Sequence, residues 1–145
     1  MNPVFQGVTA ARSRNMRAIR SKHTGTTERR LRAALASKGF RGWRMHAKEL
    51  PGEPDFYFHR SHLAVFVDGC FWHCCPNCGH LPKTNSRYWK EKIARNKRRD
   101  RRNRKLLQLR GLRVVRFWEC QLRKNLRSCV KRLAAVVEMA DEPTL

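Results

Sequence analysis

The chain contains no run of about 18 apolar residues, the least that a membrane-crossing helix needs, so no span is expected. It also lacks a charged, apolar and small-residue leader at its start, which makes a cytosolic location the expectation. Acids are scarce: eleven Asp and Glu stand against thirty-three Lys and Arg, for a net charge of +22. A surface that only had to stay soluble would mix the two signs. The imbalance therefore speaks of an anionic partner, and nucleic acid is the expected one. The basic residues are not opposed by a wide face of Leu and Phe, so a helix lying on a membrane surface is not expected. There is no internal repeat and no low-complexity tract. What remains is 145 residues, 41% of them apolar, enough for one modest core but not for a second domain. Residues 1–12 read as a flexible N-terminal end and residues 13–145 as a single, monomeric domain.

Local patterns place the elements. Ser13 to Ile19 suits a short basic helix, and Thr26-Thr27-Glu28 a helix start, with Leu31, Ala34, Leu35 and Lys38 at helical spacing before Gly39. Trp43 to Lys48 reads as a strand, and Leu50-Pro51-Gly52-Glu53-Pro54 as a turn. Asp55 to Phe58 and Leu63 to Val67 read as a β-hairpin joined by His59-Arg60-Ser61-His62, a pairing that would bring Asp55 towards Asp68. A long helix is expected from Ser86 to Leu109, closed by Gly111, followed by a strand from Arg113 to Trp118. Leu126, Cys129, Val130, Leu133 and Val137 then mark an amphipathic helix.

Within the long helix, Arg87 to Lys105 carries eleven basic residues and two acids. Even so, Trp89, Ile93, Asn96, Asp100, Asn103 and Leu107 fall on one narrow arc free of Lys and Arg. The middle of that arc is polar, which fits either a wetted helix face or a helix lining a polar cleft.

The cysteines form a second pattern. Cys75-Pro76-Asn77-Cys78 is a tight two-thiolate knuckle, Cys70 stands just before it, and Cys120 follows an apolar run far downstream. In a reducing compartment such spacing favours a structural zinc ion over disulfides. Cys129 fits the apolar stripe of the last helix, while Cys74 is an alternative to Cys75 in the metal shell.

Cleavage of a phosphodiester needs a divalent cation, a carboxylate to hold it and a group to activate water. Asp55 can be that carboxylate, although an acid after Pro54 is also a common turn residue. Leu63, Val65 and Val67 share one strand face; Ala64, Phe66 and Asp68 share the other, so Asp68 either ends a buried row with an acid or caps the strand. No lysine stands near Asp68. His73 can accept a proton near neutral pH or serve as a metal ligand. Phe71, Trp72 and Trp89 suit a core, or wedges between base pairs, and Met16 on its basic segment has the same two readings.

Six blocks carry a family resemblance: Ser13-Arg14-Asn15-Met16-Arg17, Leu50 to Asp55, Gly69-Cys70-Phe71-Trp72-His73, Leu81-Pro82-Lys83-Thr84, Trp89 to Ile93, and Trp118-Glu119-Cys120. In order and spacing they resemble the very-short-patch-repair (Vsr) mismatch endonucleases over Ser13 to Arg123. The resemblance implies an α/β, restriction-endonuclease-like fold, a mixed β-sheet flanked by helices with a structural zinc site. It implies an enzyme that nicks double-stranded DNA beside a T:G mismatch in DNA repair, using magnesium. It makes Asp55 the magnesium-binding carboxylate, the Val67 carbonyl a further ligand, and His73 the catalytic histidine. Glu28 matches a catalytic acid, with the Met16 to Glu28 stretch one residue longer than the family pattern. Phe71, Trp72, Trp89 and Met16 match residues that insert at the mismatch, and Lys92 and Asn96 fall in the DNA-facing part of the long helix. The implied zinc shell is Cys70, Cys75, Cys78 and Cys120, with Cys75 where some members have histidine.

One departure bears on mechanism. Where some members have a histidine before the glycine, this chain has Asp68, and the acidic partner of that histidine maps to Asp100. Two such carboxylates would repel, raise one pKa or share a cation, and Asp68 as a second metal ligand is the expectation. Two alternatives stand beside the mismatch enzyme: a restriction-type endonuclease, and a zinc-stabilised DNA-binding module without catalysis.

Overall fold

The computed structural model describes residues 25–71, 75–79 and 81–141. The basic segment around Met16 and the residues Trp72, His73 and Cys74 lie outside the described residues. The elements in chain order are α1 (Gly25–Ser37), β1 (Trp43–Met45), β2 (Phe56–Phe58), β3 (Leu63–Asp68), α2 (Ser86–Leu109), β4 (Arg113–Trp118), α3 (Glu119–Lys124) and α4 (Leu126–Asp141).

The strands form one four-stranded sheet in the order β1-β2-β3-β4. β2 pairs with β1 and β3 antiparallel, while β3 and β4 run parallel, with α2 in the connection between them. A parallel pair needs such a long connection, and the 24 residues of α2 supply it. The expected hairpin is present, with Phe56 opposite Val65 and Phe58 opposite Leu63. Every residue of β3 is buried, as a central strand covered on both faces should be.

The two faces of the sheet carry separate cores. On one, Phe56, Phe58, Leu63, Val65, Val67, Val115 and Phe117 meet Leu31 and Leu35 of α1, Leu122 of α3, and Cys129, Val130 and Leu133 of α4. On the other, Tyr57, Ala64 and Phe66 meet Leu107 of α2 and Leu112. The alternation along β3 thus sorts its side chains as its sequence implied. Cys129 is a core thiol, 6% exposed.

Two boundaries differ from expectation. β1 stops at Met45 rather than reaching Lys48 because His46 takes a left-handed conformation, φ 53. The chain stays beside β2 all the same: the N–H groups of His46 and Ala47 donate to the carbonyls of Asp55 and Pro54. The short helix α3 was not expected; it leaves β4 directly, and the Trp118 N–H donates to the Gln121 side chain at 2.8 Å. Six residues are too few for a periodic signal. The long helix runs from Ser86 to Leu109 as expected, and Gly111, φ 81, closes it while the Leu112 N–H donates to the Leu107 carbonyl. That cap needs a residue free to take positive φ.

Candidate active site

The C-terminal end of β3, the turn before β2 and the inner arc of α2 surround a cleft of ≈ 230 Å³. Its lining includes Lys48, Asp55, Val67, Asp68, Asp100, Asn103 and Arg116. Asp100 and Asn103 of the α2 arc line this cleft, with Arg99 beside them, which favours the second of the two readings its sequence allowed. Asn96 and Trp89 on the same arc are buried, and Lys92 is half-buried.

Asp55 is fixed by the hairpin. Its Oδ2 accepts a hydrogen bond from the Val67 N–H at 2.7 Å, so the carboxylate from the β2 side and the backbone of β3 form one unit. Burial pushes the Asp55 carboxyl up to about 7 despite that N–H, and the nearby Glu28 and Asp68 carboxylates add to the rise while Arg116 opposes it. An acid held this way favours either a proton or a cation.

On the other side of Asp55, Glu28 from the first turn of α1 lies against His46, with Oε1 2.8 Å from Nε2. Ligand atoms of Glu28, His46 and Asp55 all lie within 4.8 Å of one another, a set able to hold a metal ion. Glu28 is 4% exposed, unusual for an acid, and the cluster gives that burial a reason.

Asp68 is engaged differently from expectation. Arg116 of β4 donates from Nε to Oδ2 at 2.8 Å and from Nη2 to Oδ1 at 2.9 Å, occupying both carboxylate oxygens. The same Nη2 lies 3.6 Å from Oδ1 of Asp100. The two acids thus share a cation, but it is a guanidinium, and a second metal on Asp68 would have to displace it. Neither Arg116 nor His46 was among the sequence-derived candidates. The available signal for Arg116 was a charge in the middle of an apolar strand, on the same alternating set as Val114 and Trp118.

Next to this cleft, Cys70, Cys75, Cys78 and Cys120 bring their sulfurs within 4.8 Å of one another. Cys75 Sγ and Cys120 Sγ are 3.6 Å apart, close to the edge of about 3.8 Å in a tetrahedron with metal–sulfur bonds of about 2.3 Å. The knuckle is tight: the Cys75 N–H donates to the Cys70 carbonyl, and the Gly79 N–H to that of Cys75. A Cβ at Gly79 would lie 2.5 Å from the Cys75 nitrogen, so the position accepts only glycine without a shift of backbone. Burial acts to raise the Cys75 thiol, but the N–H groups of Asn77 and Cys78 and the neighbouring thiols bring it down to about 7. Cys75 is in the cluster, while its alternative Cys74 lies outside the described residues.

Phe71 packs edge-on against Trp89, ring centroids 5.1 Å apart, and Tyr88 also meets Trp89 edge-on at 5.1 Å. Trp89 is 3% exposed, so it supports the Phe71 loop and would have to be uncovered to meet a base.

A buried acid at a cleft beside basic helix α2, with a cysteine cluster bracing the exit of β3, is the arrangement of a nucleic-acid-cleaving enzyme. The comparisons define it further. The family model of the DNA mismatch endonuclease Vsr matches residues 6–78. The type II nicking enzyme V.XorIIP of Xanthomonas oryzae pv. oryzae is 44% identical over 126 residues, covering 85% of this chain and 89% of that protein. The type II nicking enzyme V.NmeAIP of Neisseria meningitidis is 41% identical over 139 residues, 94% of this chain and 95% of its own length. The DNA mismatch endonuclease Vsr of Escherichia coli K12 is 42% identical over 116 residues, 79% of this chain and 72% of its own. The chain belongs to the Vsr family and is a DNA endonuclease.

Proposed function

We propose that this protein nicks one strand of double-stranded DNA at a T:G mismatch, in a magnesium-dependent step of DNA repair, on a restriction-endonuclease-like fold. The observation that carries the reading is Asp55, a buried carboxylate oriented by the Val67 N–H at the floor of a polar cleft. The relatives' names support nicking and mismatch recognition: mismatch endonuclease for one, nicking enzymes for others.

Asp55 and the Val67 carbonyl would hold the magnesium ion, which when bound offsets charge on the phosphate and lowers the pKa of water. Glu28 and His46 flank Asp55 and suit a hydrogen-bonding shell around that ion. His73 takes the proton of the attacking water. The four thiolates of Cys70, Cys75, Cys78 and Cys120 hold zinc, whose part is to brace the loop that carries Phe71, Trp72 and His73. Phe71 and Trp72, with Met16 from the other groove, part the stacked bases at the mismatch, and Trp89 supports them. The Lys and Arg of α2, including Lys92, follow the phosphate backbone near Asn96, with duplex DNA as the partner of a monomer.

Incubation of the protein with otherwise identical T:A and T:G duplexes, each with and without magnesium, tests the reading on a denaturing gel. A nick in one strand of the T:G duplex alone, and only with magnesium, is expected. Equal cleavage of both duplexes would replace the reading with a restriction-type endonuclease. Binding without any cleavage would replace it with a DNA-binding module.

A further inference from the structure

Arg116 is a cation of the cleft that the proposed reaction has not used. In the parallel pairing of β3 with β4, Arg116 stands opposite Phe66, and Asp68 lies two residues further along opposite Trp118. The arginine stem crosses Phe66, placing Cζ 4.3 Å from the ring centroid, and the guanidinium fork then reaches Asp68 through Nε and Nη2. Nη2 also faces Asp100 across the cleft from α2. An aromatic face and two carboxylates from different elements thus fix the guanidinium plane. Of its three nitrogens, Nη1 has no hydrogen-bond partner among the described residues, and Arg116 lines the same cleft as Asp55.

This is a costly way to make a stable fold. Two acids and a guanidinium are drawn largely out of water, and an apolar set of the same volume would often serve stability as well or better. A rigid guanidinium with one edge left over is, by contrast, a ready binding group for a phosphate oxygen, because little side-chain entropy remains to be lost when the two meet. The position is also suitable: no lysine stands near Asp68 in the sequence, and Arg116 brings a permanent positive charge to that point from the neighbouring strand.

We propose that Arg116 contacts the substrate directly, its Nη1 edge binding a non-bridging oxygen of the phosphate that docks beside Asp55, while Asp68 and Asp100 act as positioning residues that hold the guanidinium. The inference rests on the DNA-nicking reading and adds a contact to it. It gives Asp68 a role without metal: the acid orients a phosphate-binding cation.

The test compares duplexes that differ at one phosphate. The nick is first mapped with the native protein and magnesium; absence of any nick would defeat the nicking reading itself. Two duplexes are then bound without magnesium, one normal and one with an uncharged methylphosphonate at the mapped position. The native protein should bind the uncharged duplex about ten- to a hundredfold more weakly, the range of one charge-assisted hydrogen bond left unmade. The variant Asp68→Asn with Arg116→Met removes both charges at nearly constant volume, and Arg116→Lys keeps the charge without the fork. The double variant, if it folds as judged by its melting temperature, should bind the two duplexes nearly alike. The Lys variant should show a penalty between that and the native one, and both should nick far more slowly than the native protein. A native protein indifferent to the methylphosphonate, or a folded variant that keeps the full penalty, would overturn the inference. So would native nicking rates in the Asp68→Asn, Arg116→Met pair, which would show that Arg116 only neutralises its neighbours.

Discussion

Replacing Asp55 by Asn should make the magnesium-free protein more stable and the enzyme inactive. The carboxyl rises from 3.8 to about 7 because it is buried, against the help of the Val67 N–H. A group whose folded value lies above its unfolded value contributes stability that is fully present below the unfolded value and lost as pH rises through the folded one. For Asp55 the loss spans about pH 4 to 7, and at pH 8 the protein carries an ionised carboxylate in a site that disfavours it. At about 1.4 kcal/mol per pKa unit, a gap of about three units bounds the effect near 4 kcal/mol, and relaxation around the charge reduces it to about 2 kcal/mol. Asn keeps an oxygen for the Val67 N–H and carries no charge. For a domain of this size about 2 kcal/mol is a rise of roughly 4 to 8 °C in melting temperature. The assay is thermal melting of Asp55→Asn and the native protein from pH 8 down to pH 5, zinc present and magnesium absent. The two curves should converge as pH falls. Added magnesium should raise the melting temperature of the native protein alone, more at pH 8 than at pH 6, since the ion competes with the proton. A variant that melts at or below the native temperature at pH 8 would refute the claim that Asp55 is a desolvated acid.

Further outcomes follow from other parts of the molecule. Native protein should contain about one zinc per chain, and Cys75→Ser, at a buried position of the cluster, should release it and lower the melting temperature; full zinc retention would place the ion elsewhere. Changing Arg95, Arg98 and Arg102, exposed on one side of α2, to Gln should weaken DNA binding evenly across sequences. The slope of log affinity against log salt should flatten by about 0.9 for each phosphate no longer neutralised, and an unchanged slope would put the duplex on another face. Phe56→Ala, at a fully buried position between α1 and the sheet, should destabilise by roughly 3 to 5 kcal/mol in denaturant titration, with a change under about 1 kcal/mol arguing against that core.

How much the sequence revealed depends on how local the signal was. The hairpin was readable because two alternating runs flank a short polar turn, and its consequence, Asp55 beside the end of β3, appears as the bond to Val67. The inward arc of α2 was readable because basic residues avoid it, which leaves Asn96, Asp100 and Asn103 conspicuous, the last two of them at the cleft. The four clustered cysteines were readable from spacing and residue type. Arg116 was not, since its partner Asp68 is 48 residues away and their meeting depends on the parallel register of β3 and β4, which no local pattern encodes. His46 was missed for a different reason: only a backbone turn at positive φ swings it out of the expected strand and onto Glu28. A cation shared by Asp68 and Asp100 was among the expected arrangements, but the guanidinium that lies between them comes from β4, an element not considered.

The most direct measurement is cleavage of a T:G duplex carrying a different end label on each strand, by the native protein and by Asp55→Asn, with magnesium in both. The account predicts one labelled strand cut at a single phosphodiester by the native protein and neither strand cut by the variant, though it still binds the duplex. Cleavage at a native rate by Asp55→Asn would contradict it, because the buried carboxylate would then have no part in breaking the strand.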